Sequence, residues 1–157
     1  MKQEKQKKKS VDFSIKASWL AISKMYNTLG ADDDITHSIG FVLLNIDIEK
    51  GSPATKIAPQ MGMEARSLTR MLKSMEEKGY IERVSDKNDK RKVIIKLTEI
   101  GKEKRELSRI TVKSFHQKVK ETVSEEKLDS FYEIIKQITG VAEKFDRAAL
   151  DIEAEKL

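Results

Sequence analysis

Five residues between Glu64 and Glu76 carry the side chains best suited to recognising another molecule: Arg66, Ser67, Thr69, Arg70 and Lys73. They alternate with Ala65, Leu68, Leu72 and Met75, whose spacing puts them on one inward face of a helix and leaves the polar set on the others. The outer face therefore offers hydroxyls and guanidinium groups and no carboxylate. Arginine can donate two hydrogen bonds to a guanine edge, and serine and threonine meet base edges or phosphates. A second basic group follows, with Arg83, Lys87, Lys90, Arg91 and Lys92 gathered about Asp86 and Asp89. A hairpin there would lift these charges from the body, where they can straddle a phosphate backbone or enter a minor groove. Alone, the first group is also what any basic amphipathic helix presents, and the second what any solvated loop presents. Side by side they are far more specific.

Charge over the whole chain agrees with a localised anion-binding surface. Net charge is +5, but residues 64–120 hold 17 Lys/Arg against 9 Asp/Glu, whereas residues 121–157 hold 5 against 10. There is no cysteine, which excludes disulfides and thiolate metal sites. The two histidines, His37 and His116, are a poor basis for a metal site and are expected in surface or capping roles. No metal or cofactor is expected. No apolar run approaches the roughly 18–20 residues of a membrane span, no secretion signal is read, and a cytoplasmic location is the expectation. Neither a nucleophile–base pair in recognisable context nor a phosphate-cradling glycine loop is present, which argues against an enzyme.

The elements that must position these groups are mostly helical, since the chain has only two prolines and seven glycines. Residues 1–10 read as a basic, disordered tail. The first helix spans 11–30, with Ile15, Trp19, Ile22, Tyr26 and Leu29 forming one stripe. A second, central helix is expected from Ile35 to Glu49, capped by Thr36. Gly40 inside it should cost about 1 kcal/mol relative to alanine unless another helix packs close there. Gly51-Ser52-Pro53 reads as a turn that opens a third helix over 53–61, with Ser52 as cap and Pro53 in the first helical position. Pro59 predicts that this helix is short or begins with a 3₁₀ turn. Gly62 breaks it, and a fourth helix runs from Glu64 to Lys78, stopped by Gly79. Glu64 is expected either to cap that helix or to pair with Arg66 or another arginine. Two strands, Tyr80–Ser85 and Val93–Leu97, form the hairpin. Thr98 caps a fifth helix over 99–121, and Ser124 starts a sixth.

The sixth helix carries an apolar seam: Leu128, Phe131, Ile135, Ile138, Ala142, Phe145, Ala149 and Ile152, alternately three and four residues apart. Few residues remain to cover it. With the stripe of the first helix, it implies a dimer interface built by Ile15, Trp19, Ile22, Leu128, Phe131, Ile135, Ile138 and Phe145; a monomeric helical layer is the alternative.

The order helix, turn, helix, strand, basic loop, strand is a winged helix-turn-helix. Three segments then resemble the MarR (multiple antibiotic resistance) family of regulators: Leu72 to Arg83 (LKSMEEKGYIER), Asp86-x-x-Asp89-x-Arg91, and Leu97-Thr98-x-x-Gly101. The resemblance implies a mainly α fold with a small β-hairpin wing and with N- and C-terminal dimerisation helices. Its parts would be the tail (1–10), an N-terminal dimerisation helix (11–34), a DNA-binding domain (35–98) and C-terminal dimerisation helices (99–157). It implies a homodimer acting as a repressor on double-stranded DNA at a near-palindromic operator, with Arg91 reaching the minor groove and Asp89 orienting basic side chains. It also implies a small aromatic or anionic effector held between the dimer helices and the winged domain. Trp19, Tyr26, His37 and Phe41 are the candidates to line such a cleft, although the core is the expected place for Trp19, Tyr26 and Phe41. The alternative function is a winged helix that docks a protein or RNA partner.

Overall fold

The computed structural model describes residues 10–86, 89 and 92–146. The basic tail, Lys87, Lys90 and Arg91 of the wing, and the seam positions Ala149 and Ile152 lie outside the described residues. The rest fall into two compact units divided between Lys113 and Ser114.

In the first unit the elements are α1 (Val11–Leu29), α2 (His37–Asn45), β1 (Ser52–Pro53), α3 (Ala54–Gln60), α4 (Ala65–Glu77), β2 (Ile81–Ser85), β3 (Val93–Leu97) and the start of α5 (Glu99–Thr122). Thr36 caps α2 as expected, its Oγ1 accepting from Ile39 N at 3.2 Å. That helix ends at Asn45 rather than Glu49. Asp47 offers the backbone a competing arrangement, its carboxylate accepting from the amides of Glu49 (2.9 Å) and Lys50 (2.8 Å).

The expected helix opening at Gly51-Ser52-Pro53 is a strand instead. Ser52 and Pro53 pair with Ile95 and Ile94 of β3, giving a three-stranded antiparallel sheet of order β1-β3-β2. Proline is tolerated because β1 is an edge strand. The Ser52 hydroxyl is engaged with the preceding loop, accepting from Asp47 N at 3.0 Å and donating to Asn45 O at 3.4 Å, so it does not cap α3. Pro53 is the cap residue, one position ahead of the helix. β2 and β3 form the hairpin in the register Ile81↔Leu97, Arg83↔Ile95, Ser85↔Val93.

The core lies between α2, α3, α4 and the sheet. Val42, Leu43, Ile46, Ile57, Met75 and Ile95 are its fully buried members; each is worth about 1.5–3 kcal/mol of transfer free energy. On α4, Leu68, Leu72 and Met75 face inward as their spacing predicts, but Ala65, the first residue of the helix, is exposed.

Both helices of the helix-turn-helix end in the same way. Gly62 follows α3 in the left-handed region (φ +59°), with Gly62 N donating to Pro59 O and Met63 N to Ala58 O, both at 3.1 Å. Gly79 repeats this after α4 (φ +72°), with Gly79 N to Glu76 O and Tyr80 N to Met75 O, both at 2.9 Å. These paired bonds satisfy the last carbonyls and turn the chain sharply. Pro59 sits inside α3 without preventing it, because the helix is only seven residues long.

Leu97-Thr98-x-x-Gly101 acquires a structural meaning here. Thr98 N donates to Tyr80 O at 3.1 Å, and its hydroxyl donates to Gly79 O at 2.6 Å. The same hydroxyl accepts from Gly101 N at 3.0 Å, capping α5. Gly101 permits this closeness, since a Cβ there would lie 1.8 Å from the Tyr80 carbonyl oxygen. Gly40 has a related role: a Cβ would stand 3.1 Å from the Ser108 hydroxyl of α5, so a second helix does pack close at that position.

The second unit contains the end of α5 and α6 (Glu125–Lys144). Ser124 occupies the cap position without a side-chain cap bond. α6 stops before Phe145, whose backbone is extended, so the seam is helical only from Leu128 to Ala142 among the described residues. Phe131 and Phe145 are exposed, Ile135 and Ile138 half-buried, and Leu128 is buried within the chain.

Candidate nucleic-acid interface

α4 presents Arg66, Ser67, Thr69, Arg70 and Lys73 to solvent, opposite the face that carries Leu68, Leu72 and Met75. Arg66 and Arg70 are four residues apart and therefore neighbours on the helix surface. The Thr69 hydroxyl donates to Ala65 O of its own helix at 2.8 Å. Lys73 approaches Glu77 at 3.8 Å, both well exposed, a pair that costs little to break. Glu64 stands at the cap position of α4 but makes no side-chain cap bond. Among the described residues it forms no ion pair with Arg66 or another arginine either, and Glu64 is exposed.

Arg83 differs from the other basic candidates. Its Nε lies 3.1 Å from Glu76 Oε2, tying β2 to the end of α4. A side chain held in this way serves the position of the wing relative to the helix before it serves a ligand. In the wing, Asp89 is half-buried and pairs with Lys92 at 3.7 Å. Its amide donates to Asp86 Oδ1 at 3.0 Å, its carbonyl accepts from Lys92 N at 2.8 Å, and Asp86 N donates to Lys92 O at 3.0 Å. Asp86 and Asp89 thus close the hairpin mouth, which residue type alone did not reveal.

A second feature lies in the same unit. Trp19, Tyr26, His37 and Phe41 meet around a cavity of about 340 Å³ between α1, α2 and the first half of α5. Trp19 and Phe41 are 53% and 38% exposed, so these aromatics wall a cavity rather than fill the core. His37 is not a surface or capping residue: its ring centroid stands 4.8 Å from that of Trp19 and 5.1 Å from that of Tyr26, which it stacks upon. Ser23 Oγ is 2.9 Å from His37 Nδ1, and Asn27 Oδ1 accepts from His37 N at 2.7 Å. The α5 contribution, Leu107, Ser108, Thr111 and Val112, carries no local signature in the sequence, apart from the hint that Gly40 gives of a close helix.

Burial pushes the His37 imidazole below its ordinary value of 6.5. The unfolded chain therefore takes up this proton first as pH falls. Stability from neutral His37 is complete above the ordinary value and is lost as pH falls from there through the folded value. Thermal melts between about pH 7 and pH 5 should show a fall in Tm that is smaller in His37→Gln. An equal fall in both proteins would contradict the assignment.

A protein-family model, the MarR family, matches residues 35–93. The HTH-type transcriptional regulator SarZ of Staphylococcus aureus (strain MRSA252) is 32% identical over 110 residues, covering 69% of this chain and 74% of that protein. The chain belongs to the MarR family. This is a family of transcriptional regulators rather than of enzymes. Several solved structures superpose over most of the chain. A crystal structure of the S. aureus MepR–DNA complex aligns with TM-score 0.79 at 18% identity, covering 85% of this chain and 98% of that one. The transcriptional regulator SlyA aligns with TM-score 0.77 at 20% identity, over 86% and 96%. A structure of reduced AbfR bound to DNA aligns with TM-score 0.67 at 25% identity, over 85% and 93%. The matched region of the family model includes α2 to β2 and the hairpin turn, so it holds the exposed face of α4. No helix among the described residues is long and apolar enough to cross a membrane.

Proposed function

We propose that this MarR-family regulator is a homodimer that represses transcription by binding double-stranded DNA at a near-palindromic operator. The observation that carries the reading is the outer face of α4 from Ala65 to Met75, which carries no carboxylate and exposes Arg66 and Arg70 ahead of a hairpin wing. Each α4 would enter a major groove, and the wing, with Asp89, Arg91 and its lysines, would lie along the adjacent backbone or minor groove. The MepR and AbfR structures named above are DNA complexes, and their folds resemble this one. Residues 35–98 would form the DNA-binding domain; 11–34 and 99–157 would supply dimerisation helices. A small aromatic effector in the α1–α2–α5 cavity would release the DNA. Among the described residues no lysine or arginine lines that cavity, so an uncharged aromatic fits better than an anion.

Footprinting on the DNA that flanks the protein's own coding region tests the reading. Protection with two-fold character, its half-sites about 10 base pairs apart, is expected. Affinity should fall steeply between low and moderate salt as counterions return to the phosphates. Salt-insensitive binding, or tighter binding to RNA, would favour the docking of a different partner.

The dimer has its own test. Phe131→Asp and Ile138→Asp place a charge in the seam of α6. Light scattering after size exclusion is expected to show loss of the dimer. A dimer of unchanged stability in both variants would refute this interface.

A further inference from the structure

We propose that the turn at Ala31–Asp34 is a positioning element that links the α1–α2–α5 cavity to the C-terminal end of α4. The inference rests on the reading of α4 as the recognition helix. Two consecutive carboxylates face in two functional directions. Asp33 lines the cavity, and its Oδ1 is 3.2 Å from Lys104 Nζ of α5. Asp34 forms an ion pair with Lys78, the residue that caps α4. The Tyr80 hydroxyl reaches the Asp34 carbonyl at 3.4 Å and its carboxylate at 3.5 Å. Tyr80 is itself buried, and its carbonyl carries Thr98 N and abuts Gly101. The turn is thus held from the cavity side by Lys104 and from the helix side by Lys78 and Tyr80.

Its backbone makes the link short and stiff. Asp34 N donates to Ala31 O at 3.1 Å and Ile35 N to Gly30 O at 2.9 Å. Asp34 has φ +56°, the one residue other than glycine with positive φ among the described residues. Aspartate tolerates this region better than most residues, but the conformation persists only where surroundings hold it. Relaxation to negative φ would swing the Asp34 carbonyl and carboxylate away from Tyr80 and Lys78. The coupling would run between the clamped arrangement seen here and a released one with negative φ at Asp34. Exposed ion pairs contribute little to stability by themselves; here the pair sets a position. A cavity occupant that donates a hydrogen bond to Asp33 and draws it from Lys104 would bias the turn toward release and loosen the foot of α4.

The test is amide hydrogen exchange by NMR on the full-length protein, comparing Lys104→Gln on the cavity side, Lys78→Gln on the helix side, and the double variant. Lys104→Gln is expected to speed exchange of the Gly79 and Tyr80 amides by roughly two- to fivefold. Lys78→Gln should do the same to Asp34 and Ile35. The double variant should exceed neither single change at those amides, as coupled sites do. Effects confined to the substituted side would overturn the proposal. If Lys104→Gln raises exchange throughout the chain, Asp33→Asn takes its place. A second arm uses the single tryptophan, Trp19, on the cavity wall. Labelled as 5-fluorotryptophan it gives one ¹⁹F resonance, expected to shift when the footprinted DNA is added and to shift less than half as far in Lys78→Gln with DNA bound. An equal shift in both proteins would overturn the coupling. Absence of DNA binding altogether would instead overturn the proposed function, leaving the exchange arm to decide the coupling.

Discussion

Alanine at position 101 is expected to destabilise the protein by about 3 kcal/mol or more, at the upper end of what overpacking costs. The sign is what makes the result informative. Position 101 lies in the first turn of α5, and replacing a helical glycine by alanine ordinarily stabilises by up to about 1 kcal/mol. Here the added Cβ would stand 1.8 Å from Tyr80 O and 2.9 Å from Tyr80 C. Both are backbone atoms, so no side chain can rotate away. Relief requires α5 to move off the β2 entry, which breaks the bonds of Thr98 to Gly79 and Tyr80. Tyr80 is buried, so displacement would also disturb the core beneath α4. Total stabilities of small domains are about 5–15 kcal/mol, so the loss is a large share. Urea unfolding should show a lower midpoint with an unchanged m-value. A midpoint equal to or above that of the natural chain would mean that α5 does not approach Tyr80 as closely as described.

Gly101 also shows what the sequence made legible and what it hid. The Leu97-Thr98-x-x-Gly101 spacing could be tied to a family without any physical reason for the glycine. The reason is non-local, a carbonyl from the other end of the hairpin. The same division runs through the fold. Long periodic segments such as α1, α4 and α6 were legible because one apolar face repeats over several turns. Strand β1 was not, because two residues carry no period and Pro53 argued for a helix start. The end of α2 was misplaced because the Asp47 turn competes with the helix locally while Ile48 keeps the apolar pattern going. Within the candidate site, the exposed face of α4 followed from spacing, but the partners did not: Arg83 meets Glu76, and Glu64 at the cap position makes no side-chain cap bond. The cavity was half legible. Its aromatics were named from α1 and α2, yet residue type placed three of them in the core. Only packing from α5 turns them into a wall.

Replacing Arg66 and Arg70 together with alanine is expected to weaken binding to the footprinted operator by about two to four orders of magnitude, since each base-reading arginine is worth roughly 1–3 kcal/mol. Fluorescence anisotropy at fixed salt, with the operator and with a scrambled duplex, measures the effect. Both side chains are exposed, so folding stability should change by no more than about 0.5 kcal/mol, and lost binding would not reflect lost structure. Discrimination between the two duplexes should shrink with affinity, because guanidinium groups at base edges carry sequence information whereas phosphate contacts do not. Lys73→Ala supplies the contrast. Lysine at the edge of the same face would meet phosphate, so its loss should weaken both duplexes alike and reduce the salt slope by about one. Arg83→Ala should behave differently again: its guanidinium is engaged by Glu76, so the change would shift the wing before it removed a contact. Full operator affinity in the Arg66→Ala, Arg70→Ala double variant would remove α4 as the reading helix and leave the wing to carry the interaction. Uniform loss on both duplexes would keep α4 on the DNA but turn it from base edges to the backbone.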